Sequence, residues 1–238
     1  MSQDPPRALL FDVFGTCVDW RTSVAREGDA MARRLGLPPI DWFTFADAWR
    51  GRYQPQMETV RSGARPWLDL DVLHREALDG LLADFGLDAV DERERAALTR
   101  AWHRLDPWPD TAEGLARMRS RFVVAPNSNG HIALMVALAR RGGFTWDAVL
   151  GAELAGAYKP LPEVYLRSVA ALGLAPGEVM MVAAHNDDLV AAAACGLRAA
   201  FVLRPTEYGP SQATDLAADP VAEVAAADLV DLAERLGA

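Results

Sequence analysis

Cysteine is scarce in this chain: 238 residues hold only Cys17 and Cys195. That excludes a disulfide framework and a paired-cysteine zinc pattern, and makes a reducing cytoplasm the expected compartment. Excess positive charge is missing too, since 24 Lys and Arg stand against 33 Asp and Glu, a formal net charge of −9. Phosphate backbones and anionic membrane surfaces both reward clustered cations, so neither nucleic acid nor a membrane is an expected partner. A small anion would need a local cationic pocket. No window approaches the ~18 or more uncharged apolar residues of a membrane span, and Met1–Arg7 lacks the basic start and apolar run of a signal peptide. What is present is an ordinary globular balance of 51% apolar and 24% charged residues, enough for one large domain, or for a core with a modest insertion.

Periodicity divides the chain. Ala8 to Phe14 is a short apolar run ending in the turn signal Gly15-Thr16, as a buried strand does. From about Arg21 the spacing becomes helical, with expected helices at Ser23–Leu37, Asp41–Arg61, Asp69–Phe85 and Asp91–Leu105. Pro55 should kink or break the second. Asp106-Pro107-Trp108-Pro109-Asp110 reads as a hinge. Beyond it, apolar runs at Phe122–Ala125, Ala148–Leu150, Val179–Ala183 and Ala200–Leu203 alternate with helical stretches at His131–Arg141, Pro162–Leu172 and Asp187–Cys195, and a last helix spans Asp228–Leu236. Such alternation predicts an α/β fold, a parallel sheet covered on both faces, interrupted after its first strand by a helical insert. The expected division is a core of residues 1–19 and 107–238 with an insert of residues 20–106.

In open α/β sheets ligands bind beyond the carboxyl ends of the strands. Asp12, Gly15 and Thr16 follow the first strand; Asn127, Ser128, Asn129 and Gly130 the second; Lys159 the third; His185, Asp187 and Asp188 the fourth. Each alone could be a turn or a helix cap. Their joint recurrence at successive strand ends points to a site.

These motifs carry a resemblance over essentially the whole chain. L-L-F-D-V-F-G-T at Leu9–Thr16, S-N-G at Ser128–Gly130, Y-K-P at Tyr158–Pro160 with Tyr165 beyond, and Asp188 resemble the haloacid dehalogenase superfamily, and within it the L-specific 2-haloacid dehalogenases. The resemblance implies a Rossmann-like core with a helical cap, a homodimer, a small 2-haloacid as substrate, and no cofactor or metal. Superfamily phosphatases keep a second Asp two residues after the nucleophile and an acid in the late motif, where this chain has Phe14 and Ala184. A phenyl ring can neither protonate a leaving alkoxide nor orient a metal-bound water. Halide needs neither metal nor acid to depart, only an ionised carboxylate aimed at carbon.

On this reading Asp12 is the nucleophile that forms an ester intermediate, and Lys159 keeps it ionised. Thr16 orients Asp12, and Ser128 holds the substrate carboxylate. The resemblance assigns the halide cradle to Arg50 with Asn129, the water that cleaves the ester to Asp188, and an active-site position to Tyr165. Trp49, Tyr53 and Trp67 read as packing of the insert. The chain departs from better-known members at Ala183 and His185, where they offer Ser and Asn. His185 therefore has Lys159, the ester-cleaving water and the halide as possible partners. A histidine kept protonated beside acids could donate to fluoride, which extends the expected substrates from haloacetates to fluoroacetate. His74 and His103 read as solvated, and both cysteines as small buried hydrophobes. The alternatives are a magnesium-dependent phosphatase, a hydrolase of another small 2-substituted carboxylate, and a catalytically silent binding protein.

Overall fold

The structure is a computed structural model that describes residues 4–238; the first three positions of the stretch read as lacking a leader lie outside the described residues. The chain forms two compact units, one of residues up to Asp19 and from Asp106 onward, the other of Trp20–Leu105.

The first unit is built on a six-stranded parallel sheet of β1 (Ala8–Phe11), β4 (Val123–Ser128), β5 (Leu150–Gly151), β6 (Val179–Ala183), β7 (Arg198–Val202) and β8 (Val224–Ala226), in the order β5-β4-β1-β6-β7-β8. A two-residue pairing of β2 (Val18–Asp19) with β3 (Asp106–Pro107) lies where the chain leaves this unit and returns to it. Every residue of β1 and β6 is buried, which is why both read as unbroken apolar runs. Leu10 and Met181 are opposed across the sheet, and their face packs with Tyr165 and Val169 of α9 (Pro162–Ala171) and Leu189 and Ala192 of α10 (Asn186–Ala194). The remaining helices of this unit are α6 (Thr111–Arg119), α7 (Ile132–Gly142), α8 (Ala152–Ala155) and α11 (Leu229–Arg235). Successive strands are added on one side of β1 as far as β5 and then on the other from β6 to β8. The change of direction falls at β1, and crevices form at such switch points.

Some strands and helices differ from the sequence expectation. β4 runs on through Asn127 and Ser128, so these two end the strand rather than follow it. Helix α6 and strand β8 lie in stretches for which the periodicity gave no element.

The second unit is helical: α1 (Trp20–Leu35), α2 (Trp42–Gly51), α3 (Tyr53–Arg61), α4 (Leu70–Leu81) and α5 (Glu92–Thr99). Asp41, Asp69 and Asp91 cap α2, α4 and α5 respectively, each side chain accepting from backbone N–H of the first turn. The break in the expected Asp41–Arg61 helix falls at Arg52, not at Pro55. Pro55 lands in the first turn of α3, where its missing N–H has no helical acceptor to lose. His74 and His103 are buried, contrary to their reading as solvated. His74 lies in an aromatic core, stacked 4.3 Å from Trp102 and 6.0 Å from Tyr53. No described helix is long and apolar enough to cross a membrane.

Candidate active site

The loop after β1 explains the position of Asp12. Its N–H bonds Val182 O across the sheet at 2.9 Å, which extends the strand's alignment by one residue. The chain then turns at Gly15, whose φ of 83° lies in the left-handed region and whose missing Cβ leaves room for the Glu207 carboxylate. Three side chains fasten this turn from outside: Trp108 donates to Gly15 O at 2.7 Å, Thr111 to Cys17 O at 2.7 Å, and buried Arg204 to Thr16 O at 2.9 Å. Arg204 is itself held by a bidentate pair with Asp110. Cys17 is fully buried, and burial pushes its thiol well up, so it is no nucleophile at neutral pH.

Around Asp12 the structure brings six of the expected residues into one hydrogen-bonded network. Lys159 Nζ lies 3.0 Å from Asp12 Oδ1 and 2.5 Å from Asp188 Oδ2, bridging the two carboxylates. Thr16 donates to Asp12 Oδ2 at 2.9 Å, and its oxygen accepts from Ala184 N at 2.9 Å. Tyr165 donates to Asp188 Oδ1 at 2.6 Å. His185 Nδ1 lies 3.1 Å from Asp12 Oδ2, while its Nε2 stands 3.1 and 3.0 Å from the two oxygens of Glu207. The open question of His185's partner is thereby answered: its nitrogens are taken by Asp12 and Glu207.

Asn129 joins indirectly, its Oδ1 accepting from Lys159 N at 2.8 Å and so fixing the backbone from which the ammonium reaches in. Ser128 lies at the end of β4, where its hydroxyl accepts from Gly130 N at 3.1 Å. Arg50 belongs to the helical unit, with its guanidinium 4.0 Å over the Tyr53 ring and 5.6 Å over Trp20.

Electrostatics separates the two carboxylates. Burial favours the neutral form of Asp12, but the attraction of Lys159 and the contact with His185 outweigh it, and the carboxyl lies well below its usual range. Asp188 is pushed up, first by burial and then by the neighbouring Asp12 charge, against the pull of Lys159. One acid is thus kept ionised, and the other is more ready to take a proton. Lys159 is held protonated by both acids despite burial. His185 is likewise raised well above 6.5, because Glu207 and Asp12 outweigh desolvation.

A family model described as haloacid dehalogenase-like hydrolase matches residues 6–196. The chain belongs to that family. Among curated relatives of these haloacid dehalogenase-like hydrolases, an (S)-2-haloacid dehalogenase of Pseudomonas sp. (strain CBS-3) is 31% identical over 86% of this chain and 89% of its own. A solved structure described as a defluorinating L-2-haloacid dehalogenase is 48% identical with a TM-score of 0.95, covering 98% of this chain and 96% of the other. The L-2-haloacid dehalogenase from Xanthobacter autotrophicus, solved with chloropropionic acid covalently bound, is 26% identical with a TM-score of 0.79 over 98% of both chains.

Two residues of the network's surroundings were not on the sequence's list. Arg204 and Glu207 follow β7 in a loop with no repeat or motif, and nothing in the sequence singled out either. The one signal was Gly15, whose need for space could have prompted a search for a close neighbour.

Proposed function

We propose that the chain is a metal-independent enzyme that hydrolyses small 2-haloacids of the haloacetate class, fluoroacetate included, to 2-hydroxyacids through an ester on Asp12. The observation that carries this reading is a buried carboxylate held ionised by Lys159 at 3.0 Å, with Phe14 two residues on, where phosphate chemistry would need an acid. Fluoroacetate is included because a protein 48% identical to this chain is described as defluorinating.

In the first half-reaction a lone pair of Asp12 forms an oxygen–carbon bond, while the carbon–halogen pair departs with the halide. Ser128 binds the substrate carboxylate, and Arg50 receives the halide. In the second half-reaction water adds to Cγ of the Asp12 ester, giving one proton to Asp188, and the carbonyl pair moves onto oxygen. Collapse expels the hydroxyacid oxygen, which takes the proton from Asp188. The acid left at Asp12 releases its own proton to solvent, so haloacid and water become hydroxyacid, halide and a proton. Proton transfer of this kind is typically worth roughly 100- to 10,000-fold. Tyr165 and Lys159 hold Asp188 in place for it. A cytoplasmic compartment and a homodimer belong to the same reading, the second checked by sedimentation.

The test is halide release from fluoro-, chloro- and bromoacetate in excess chelator, with Asp12→Asn as the blank. Release that survives chelation and vanishes in the variant supports the reading. Magnesium-dependent cleavage of a phosphomonoester, with no halide released, replaces it by the phosphatase.

A further inference from the structure

Glu207 has no place in the reaction just described, yet no other Asp, Glu, Lys or Arg among the described residues is so thoroughly enclosed. Its side chain is 1% exposed and both of its oxygens face His185. A buried carboxylate is costly unless it is compensated, so this placement requires a partner that stays charged. The loop that carries it, residues 203–223 between β7 and β8, is longer than the roughly 12–15 residues at which irregular loops become uncommon outside functional sites. It is also fastened at several points. Arg204 anchors it to Asp110 and Thr16 O, Gln212 donates to Arg204 O at 2.9 Å, and Asn186 at the start of α10 bonds Asp215 and Ala217 O. Across the active-site turn, Gly15 supplies the space: a Cβ there would lie 2.1 Å from a Glu207 oxygen.

The hydrogen-bond roles follow from the acceptors. A carboxylate only accepts, and His185 stands between two of them, so each ring nitrogen must carry hydrogen and the ring is an imidazolium. Its high proton affinity, set by Glu207 and Asp12 against burial, agrees.

The two Asp12 oxygens are not equivalent. Oδ2 receives Thr16 and His185, whereas Oδ1 receives Lys159. The less encumbered Oδ1 is the better nucleophile, and its attack leaves Oδ2 as the carbonyl oxygen of the ester. Water adding to Cγ then places negative charge on Oδ2, where two donors already wait. His185 is poorly placed to serve the leaving group, because in-line displacement ejects halide on the far side of the carbon from Asp12.

We propose that Glu207 is a positioning residue that holds His185 as a cationic donor on Asp12 Oδ2, and that the pair serves ester hydrolysis rather than carbon–halogen cleavage. This rests on the ester reading above. Once Asp12 is esterified it carries no charge, and each cation then depends on its other carboxylate: Lys159 on Asp188, His185 on Glu207. Glu207 therefore keeps the donor charged during the half-reaction in which charge develops on Oδ2.

The test uses the fact that chloroacetate and bromoacetate give the same ester. Glu207→Gln should lower kcat by about 10- to 100-fold. A rapid halide release equal to the enzyme present should precede this slow phase, and a hydroxyacyl adduct should accumulate on the Asp12 peptide by mass spectrometry. The slow rate should be the same for both substrates, and Glu207→Asp should restore part of the loss. The double variant His185→Gln/Glu207→Gln removes both charges together, leaves neither uncompensated, and reads the same step if the single variant does not fold. A rate that still ranks with the halide, no adduct, or unchanged kcat overturns the proposal. Absence of halide release from the native protein would instead overturn the dehalogenase reading, and this assignment with it.

Discussion

At the strand ends, Asp12, Lys159, Asp188, His185 and Glu207 form a charge network whose side chains are at most 13% exposed. On the helical unit, Arg75, Asp79, Glu92 and Arg95 form one as well connected, yet Glu92 is 75% exposed and Asp79 38%. The chemical groups are alike, and the difference is the solvent. In the open, Arg75 hydrogen bonds lower the Glu92 carboxyl pKa, but water and salt screen the pair and neither ion needs the other to stay solvated. At the strand ends each ion depends on its neighbours, so removing one strands the rest. The exposed network leaves each ion solvated by water; the buried one fixes protonation states, as the proposed chemistry requires.

The sharpest way to break this contrast is Lys159→Met. It removes the cation shared by Asp12 and Asp188, and should lower unfolding free energy by about 3–5 kcal/mol in denaturant titration. Halide release should fall by at least about 100-fold, as the Asp12 carboxyl rises toward neutrality with its proton. Within the helical unit the larger loss should come from its apolar core. Fully buried Leu78→Ala should cost about 2–5 kcal/mol in the same titration.

A smaller effect is the pH dependence of melting. Asp12 is lowered from 3.8, so its contribution to stability is present above about pH 4 and is lost as pH falls through its folded value. Asp188, raised, favours the fold at low pH and offsets part of that loss. His185 is raised from 6.5; its contribution is complete below about pH 6.5 and is lost as pH climbs through its folded value. Its charged neighbours are Asp12 and Glu207, with Lys159 behind Asp12. Scanning melting temperature against pH should therefore show Asp12→Asn flattening the acid side and His185→Gln the alkaline side. The smallest change belongs to Glu92→Gln, which should leave melting temperature and halide release indistinguishable from the native protein, with any residue of an effect vanishing at high salt.

What could be read from the sequence follows the same division. Buried parallel strands such as β1 and β6 are apolar throughout, so they stand out, and the polar residues just beyond them mark the site. Asp12, Thr16 and Asp188 were legible for that reason, whereas Lys159, which α8 separates from β5, was legible through the Tyr158-Lys159-Pro160 motif. Glu207 was not, because its partner His185 is 22 positions away and no periodicity governs the loop between β7 and β8. His185 was legible as a strand-end residue but not in its contacts, which depend on side chains converging from three segments. Pro55 was misjudged because a proline breaks a helix only in its interior, and the chain had already broken at Arg52. Strand β8 was invisible since three residues, one of them exposed, give no alternation to detect.

The central claim is that Asp12 itself attacks carbon, and one turnover in heavy-oxygen water, with enzyme in excess over chloroacetate, tests it most directly. Ester formation predicts that the heavy oxygen enters the Asp12 peptide while the hydroxyacid carries an oxygen from the protein. Heavy oxygen found in the first-turnover product, with Asp12 unlabelled, would mean that water attacks the substrate directly and would contradict the account.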